Sequence, residues 1–410
     1  MKILVQKFGG TSVANAERIH RAARRAIRAK EGGNQVVVVV SAMGKTTDKL
    51  LELAREISQE PPRRELDMLL TTGEQVSIAL MAMAIHAAGH EAISLTGGQV
   101  GLMTDAVHMK ARIQTINHER ITRELDAGRI VIVAGFQGVD ESGEIYTLGR
   151  GASDTTAVAM AAVLQAKTCE IYTDVDGVYT TDPRLEPNAR KMNVISYDEM
   201  LELASLGAGV MHSRAIEFGK KYGVEIHVRS SLSDAPGTLI TSEVAQMEQI
   251  VVSGATLKKD LAQFALLGVP NQPGVAAEVF ARLAEHNVVV DDIIQTIEES
   301  GKATTSFTVE HTDLSECKLV VNELRKQFSL RDVAINNVAK VSIVGVGMRS
   351  HAGVARKMFN ALAAGQVNIN AITTSEIKIS CIIAPEDGVK ALRAVHAAFD
   401  LDKEPAARPA

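Results

Sequence analysis

Ile3-Leu4-Val5-Gln6-Lys7-Phe8-Gly9-Gly10-Thr11-Ser12 runs a short apolar strand straight into two adjacent glycines, and a helical pattern follows. Strand, glycine turn and helix in that order make a phosphate cradle. Paired glycines let backbone N–H groups close on an anion without Cβ interference. The start of the next helix adds free N–H groups and the positive end of its dipole. Lys7 supplies a mobile positive charge for a phosphoryl group in transfer. The segment lacks Gly-x4-Gly-Lys-Ser/Thr and so is not a Walker P-loop. A plain strand–helix turn would read the same in isolation, so the rest of the chain has to decide.

Outward from the cradle, strands and helices alternate to about residue 240. Strands are expected at Lys2–Phe8, Gln35–Ser41, Glu91–Leu95, Arg129–Gly135, Thr168–Thr173 and Glu225–Val228. Their Val/Ile runs suit parallel strands buried on both faces. Helical patterns at 13–30, 64–88, 154–166, 197–206 and 211–222 lie between them. This alternation predicts a three-layer α/β/α domain with a mainly parallel sheet over 1–245, ligands binding at the carboxyl ends of the strands.

A turn-rich stretch around Ala235-Pro236-Gly237-Thr238 marks a boundary. Beyond it the chain repeats. Phe264 to Val269 matches Val341 to Val346, Gly274-Val275 matches Gly353-Val354, and Asn287 to Val290 answers Gln366 to Ile369. Each copy reads as strand, glycine loop, helix, strand and a further strand, which fits two βαββαβ units over 262–337 and 341–410. A purely structural pair of modules would show the same pattern.

The 410 residues carry 46% hydrophobic and 23% charged side chains and a formal net charge of −5. This composition is that of an ordinary globular chain, without the electrostatic footprint of nucleic-acid binding. Aromatic content of 3% with no Trp leaves few stacking platforms for single strands. Cys169, Cys317 and Cys381 are far apart and odd in number, which points to reduced thiols rather than a disulfide frame. The apolar runs are strand-sized and no signal peptide is evident, so a soluble cytoplasmic protein is expected. The basic run Arg18, Arg21, Arg24, Arg25, Arg28 and Lys30 alternates with Ile19, Ala22, Ala23, Ala26 and Ile27. It reads as the solvated face of an amphipathic helix.

Further polar clusters each follow a strand. Ser41-Ala42-Met43-Gly44 suits phosphate or carboxylate binding, although Thr47 or Asp48 would also cap a helix opening at Lys49. In Thr71-Thr72-Gly73-Glu74 a carboxylate interrupts an apolar stretch, so Glu74 either caps locally or meets a cationic ligand group. Thr147-Leu148-Gly149-Arg150-Gly151-Ala152-Ser153-Asp154 leads into an Ala-rich helix. Capping would account for Ser153 and Asp154 but not for an Arg between two glycines, a residue suited to bidentate carboxylate or phosphate recognition. Thr173-Asp174-Val175-Asp176-Gly177-Val178-Tyr179 through Asp182-Pro183-Arg184 has the parts of a nucleotide loop. It lacks the spacing of an EF-hand.

Taken together, these motifs resemble the aspartate kinases of the amino-acid kinase family, and the C-terminal repeat resembles their tandem ACT regulatory domains. The resemblance covers essentially the whole chain in the expected order. It implies ATP-dependent phosphorylation of the side-chain carboxylate of L-aspartate to 4-phospho-L-aspartate, at the entry to lysine, threonine, methionine and diaminopimelate synthesis. Carried over residue by residue, Lys7 would stabilise the transferring phosphoryl group, with Gly9 and Gly10 contacting it. Ser41, Thr47 and Glu74 would hold aspartate, with Glu74 facing its ammonium. Arg150 and Ser153 would clamp the substrate carboxylate, and Asp154 would orient Lys7. Thr173, Asp174, Tyr179 and Arg184 would hold ATP, with Mg²⁺ arriving on its phosphates and no dedicated metal cluster.

Effector amino acids, lysine or threonine or both, would bind around Asn271, Asp291, Gln295, Ser350 and Glu376, with homo-oligomers formed through the ACT pair. In two places the chain departs from the pattern. Gly207-Ala208-Gly209 lacks the Lys that meets nucleotide in some relatives, and Asn271-Gln272-Pro273-Gly274 lacks an effector-loop Asp. Met247 sits where a separately started regulatory subunit would begin, or is an ordinary linker residue. Two alternatives stay open: a sister kinase acting on another carboxylate, and a non-catalytic amino-acid sensor.

Overall fold

The computed structural model describes residues 2–149, 151–207, 210–242, 252–346, 348 and 353–404. Arg150, Met247, Gly209 and Ser350 lie outside the described residues. The chain divides into two compact units. One takes in Met1–Tyr179, Lys191–Ser205 and Gly209–Gln246, the other Thr180–Arg190, Leu206–Ala208 and Met247–Ala410.

The first unit is built on an eight-stranded sheet, in the order Val194–Ser196, Thr238–Thr241, Glu225–Ser230, Thr168–Thr173, Lys2–Phe8, Asn34–Val40, Ile130–Ala134, Ala92–Leu95. Lys2–Phe8 runs parallel to both neighbours, with Lys7 level with Val39 on one side and Ile171 on the other. Thr238–Thr241 pairs antiparallel with Glu225–Ser230 and parallel with Val194–Ser196.

Side chains alternate across each strand, so the central strand serves two layers. Phe8, Val36, Val38, Val40, Ile130 and Ile132 pack under the helices Ala16–Glu31 and Thr72–Ala87. Lys7 points the other way, toward the helix Ala152–Val163. The all-buried runs 36–40 and Ile130–Ala134 are the two-faced strands that such a sandwich requires.

Three local expectations change. A second sheet of four short strands, Ile113–Ile116, Leu102–Thr104, Gln137–Val139 and Ile145–Thr147, joins this unit. Strands of three or four residues are too short to show a period. The expected helix 64–88 is two, Arg63–Leu70 and Thr72–Ala87. Together they span 25 residues, long and apolar enough by composition to cross a membrane, contrary to the reading of all apolar runs as strand-sized; more than half of the apolar window is buried in the fold, as in a core helix. The helix expected to open at Lys49 begins at Thr46, so Thr47 lies within its first turn rather than capping it.

The second unit carries a six-stranded antiparallel sheet, in the order Asp291–Ile297, Ala303–Glu310, Gly254–Val269, Asp332–Val344, Lys378–Ile383, Ala371–Thr374. Two long strands join the repeats. Gly254–Val269 pairs along nearly its whole length with Asp332–Val344, with an irregularity between Lys258 and Leu261. Its later half belongs to the first repeat. Its start at Gly254 lies ahead of the expected boundary at 262, and there it supplies the sixth element of the second repeat. Each repeat keeps its own core, one around Phe264, Phe307 and Leu324, the other around Ile343, Met358 and Leu392.

The repeat correspondence holds at backbone level. Gly274 and Gly353 both cap the following helix in the left-handed conformation, at φ 94° and 103°. Asn287 and Gln366 both leave that helix left-handed, at 55° and 51°. The three cysteines are free and buried.

Candidate active site

At the end of the first strand, Lys7 Nζ lies 2.6 Å from Asp154 Oδ1, and both side chains are about nine-tenths buried. Asp154 sits in the first turn of Ala152–Val163, whose N-cap is Gly151 at φ 74°, with no side-chain capping bond. Capping therefore does not explain Ser153 or Asp154. The second Asp154 oxygen accepts the backbone N–H of His212 at 3.3 Å.

Backbone contacts hold the glycine turn open beside Lys7. Gly9 N–H donates to the Tyr172 carbonyl at 3.2 Å, and Gly44 N–H donates to the Gly10 carbonyl at 2.9 Å. A Cβ at Gly10 would come within 2.9 Å of the Ala42 carbonyl oxygen and 3.0 Å of that of Gly44. This approach is closed to any residue with a side chain.

The second polar strand end meets the same place. Ser41 Oγ and Ser153 Oγ are 2.8 Å apart. Glu74, in the first turn of Thr72–Ala87, is 3% exposed. One of its oxygens accepts Ala42 N–H at 3.0 Å. The other is buried and finds no hydrogen-bond partner among the described residues. Burial pushes its pKa up to about 7, eased by the Ala42 N–H. A half-satisfied buried carboxyl is costly unless a cation or donor completes it. Thr47 is half-buried in the first turn of Thr46–Ile57.

Past the strand Thr168–Thr173, Thr173 Oγ1 donates to Asp174 Oδ1 at 3.0 Å. The Tyr179 hydroxyl donates to Asp176 at 2.8 Å, and burial pushes its pKa up to about 12. Arg184 belongs to the second unit, where it is exposed and paired with Asp182 at 2.8 Å.

Among the residues expected to bind effector, Asn271, Gln295 and Glu376 are exposed. Asp291 Oδ2 lies 2.6 Å from Lys340 Nζ, which also meets Asp292 at 2.8 Å.

His212, Arg214 and Asp67 are not among the residues singled out from the sequence. The His212 ring fills the space a Gly151 side chain would need, its nearest atom 2.9 Å from a Cβ built there. Arg214 donates to the Leu148 and Ala111 carbonyls. Fully buried Asp67 accepts from Met109 N–H and Thr147 Oγ1 and pairs with His108 Nδ1 at 2.7 Å. Arg214 and Asp67 brace the segment that ends at Gly149, and His212 the start of the helix that follows. Their partners lie between 41 and 103 positions away, and no local pattern announces such pairs. Asp67, buried among apolar positions of a helix, was the one legible signal.

Comparison with known proteins bears on this arrangement. Residues 2–230 match the amino acid kinase family, and 264–329 and 341–399 each match the ACT domain. The aspartokinase of Bacillus sp. (strain MGA3) is 50% identical over 98% of both chains. Aspartokinase 2 of Bacillus subtilis is 49% identical over 99% of this chain and all of its own. The crystal structure of E. coli aspartokinase III in complex with aspartate and ADP aligns with a TM-score of 0.83 at 25% identity, covering 97% of this chain and 99% of that one. The same enzyme in complex with lysine and aspartate, in its T-state, aligns at 0.76. Matched by the kinase model over more than half its length, and half identical to aspartokinases from end to end, the chain belongs to the amino acid kinase family as an aspartokinase with two ACT domains.

Proposed function

We propose that the enzyme transfers the γ-phosphoryl group of ATP to the side-chain carboxylate of L-aspartate, giving 4-phospho-L-aspartate and ADP. The reading rests first on Glu74: a buried acid with one oxygen unpartnered is completed by the ammonium of an amino acid. The E. coli relative holding aspartate and ADP supports the same pair of substrates.

The carboxylate nucleophile needs no general base at neutral pH. Two anions must instead be brought in line and their repulsion neutralised. Lys7 meets the phosphoryl group in transfer, held in place by Asp154, while Gly9 and Gly10 let the backbone approach it and Gly10 offers its N–H. Ser41, Thr47, Arg150 and Ser153 orient the aspartate carboxylates. Thr173, Asp174 and Tyr179 hold the nucleotide. Mg²⁺ would arrive on the ATP phosphates, where it supplies charge neutralisation.

The product is an acyl phosphate, and the reaction opens the route to lysine, threonine, methionine and diaminopimelate. End-product amino acids act back through the ACT pair, around Asn271, Asp291, Gln295, Ser350 and Glu376. The lysine-bound T-state of the E. coli relative supports this. The chain forms homo-oligomers through the ACT domains and works in the cytoplasm. A regulatory subunit started near Met247 would appear as a C-terminal fragment in native lysate.

The test is ATP- and Mg²⁺-dependent acyl-phosphate formation trapped with hydroxylamine across L-aspartate, L-glutamate and N-acetylglutamate. Signal with aspartate alone is expected. Signal with another acid moves the assignment to a sister kinase, and none with any acid from folded protein leaves a sensor. Lysine or threonine should also shift the apparent affinity for aspartate; no response at about millimolar effector, a usual range for metabolite sites, removes the regulatory half.

A further inference from the structure

The basic run in Ala16–Glu31 is not uniformly a solvated face. Arg25 is 7% exposed, among the buried residues of that helix. Its guanidinium lies 4.9 Å from the Tyr172 ring centroid, with Arg229 5.7 Å from the same centroid. Both arginines line a cavity of about 470 Å³ on the sheet face turned away from Lys7.

Strand alternation explains why this face is polar. Gln6 on the first strand, Glu170 and Tyr172 on its neighbour, and Arg229 on the next share one side. The intervening Lys7, Cys169 and Ile171 face the other way. Glu170 is fully engaged: it accepts from Gln6 Nε2 at 2.8 Å, Arg229 Nη1 at 2.8 Å and the Tyr172 hydroxyl at 3.0 Å. Arg25 spends its terminal nitrogens on Asp234 and the Ser233 carbonyl.

Three buried atoms of the residues that line the cavity are left over. Arg25 Nε, Arg229 Nε and Gln6 Oε1 find no hydrogen-bond partner among the described residues, and Gln6 is only 2% exposed. A buried polar group left without a partner destabilises the fold unless something completes it. With Arg28 at the rim, three guanidinium groups face the two carboxylates Glu170 and Asp234, which leaves a surplus of one positive charge. The size is that of a metabolite pocket.

We propose that this cavity is a second ligand site, separate from the cradle, for a small oxyanion that also carries a hydrogen-bond donor. The two Nε–H groups and the surplus charge take the anion. The Gln6 amide oxygen takes an O–H or N–H of the same molecule. Hydrogen phosphate and α-hydroxy carboxylates have both groups; sulfate has only the first.

The site is tested by calorimetric titration of the full chain with inorganic phosphate, sulfate and glycolate, with the cradle filled by saturating ADP. Phosphate or glycolate is expected to bind once per chain, and sulfate about tenfold more weakly for want of the donor. Which of phosphate and glycolate is tighter assigns the oxyanion as phosphoryl or carboxylate. Arg229→Gln should weaken binding about tenfold or more by removing a charged donor. Gln6→Met should cancel the preference over sulfate. If Arg229→Gln does not fold, Arg28→Gln at the exposed rim should weaken the binding about threefold. No binding to the wild-type chain at about 10 mM, the weak limit for a metabolite site, or equal binding by the variants, overturns the proposal.

Discussion

Two lysines lie buried beside carboxylates in this chain, one in each compact unit, and their surroundings differ in completeness. Lys340, 1% exposed, meets Asp291 at 2.6 Å and Asp292 at 2.8 Å. Asp292 also accepts from Thr308 and Thr373 hydroxyls. Burial alone would pull the Lys340 pKa down, but the two acids more than offset it and leave it raised. Strands of both ACT repeats supply these groups, so the cluster pins the repeats together and its buried members Lys340 and Asp292 are each partnered. Lys7 has one carboxylate and lies beside Gly9, and Glu74 meets no cation among the described residues. The kinase site is left unfinished where substrate and phosphate complete it, while the ACT junction finishes itself.

The largest expected effects come from removing each ammonium. Lys7→Met should lower kcat about a thousandfold or more, the scale of losing a group that meets charge in a transferring phosphoryl. Its melting temperature should stay near wild type. Lys340→Met should do the reverse, costing about 3–5 kcal/mol because buried Asp292 is left without its cation, with kcat at low temperature retained. Steady-state kinetics and thermal unfolding of both variants check this pair. A stable Lys340→Met, or an active Lys7→Met, breaks the contrast.

A smaller effect sharpens it. If Lys340 costs stability through stranded acids, adding Asp291→Asn and Asp292→Asn to Lys340→Met should recover most of the loss, since neutral replacement of a whole buried cluster is often close to neutral. The triple variant's unfolding midpoint is the measurement. No recovery would mean that the lysine acts by packing its stem.

How much of this was legible in the sequence follows from the range of the forces involved. The central strands stood out because burial on both faces writes an unbroken Val/Ile run. Lys2–Phe8 and Thr168–Thr173 lie where expected. The repeat showed itself through glycines, and Gly274 and Gly353 adopt the same left-handed cap. Lys340 and Arg25 did not stand out, because a charge is made buriable by partners remote in sequence. Those of Lys340 are 48 and 49 positions away; Arg25 contacts Ser233, 208 positions on. The strand shared from Gly254 was hidden for a similar reason: it completes a repeat that begins after residue 330. Glu74 was visible as an acid in an apolar helix, but only the structure shows which of its oxygens is unmet.

Glu74 is also where the smallest effect lies. Its folded-state pKa of about 7 stands above the ordinary 4.5 because burial penalises the charged form. A raised folded value means the fold favours the protonated acid. Its contribution is therefore fully present below about pH 4.5 and is lost as pH rises through 7, reaching a penalty of about 3 kcal/mol for a shift of that size. Glu74→Gln has no such titration. It should be more stable than wild type at pH 8 and lose that advantage toward pH 4.5, while binding aspartate more weakly at every pH. In the wild type, aspartate binding near pH 6.5 should release a proton, because the incoming ammonium favours the carboxylate. Calorimetry in two buffers of different ionisation enthalpy reads that proton directly, and its absence would mean that Glu74 meets something other than a cation.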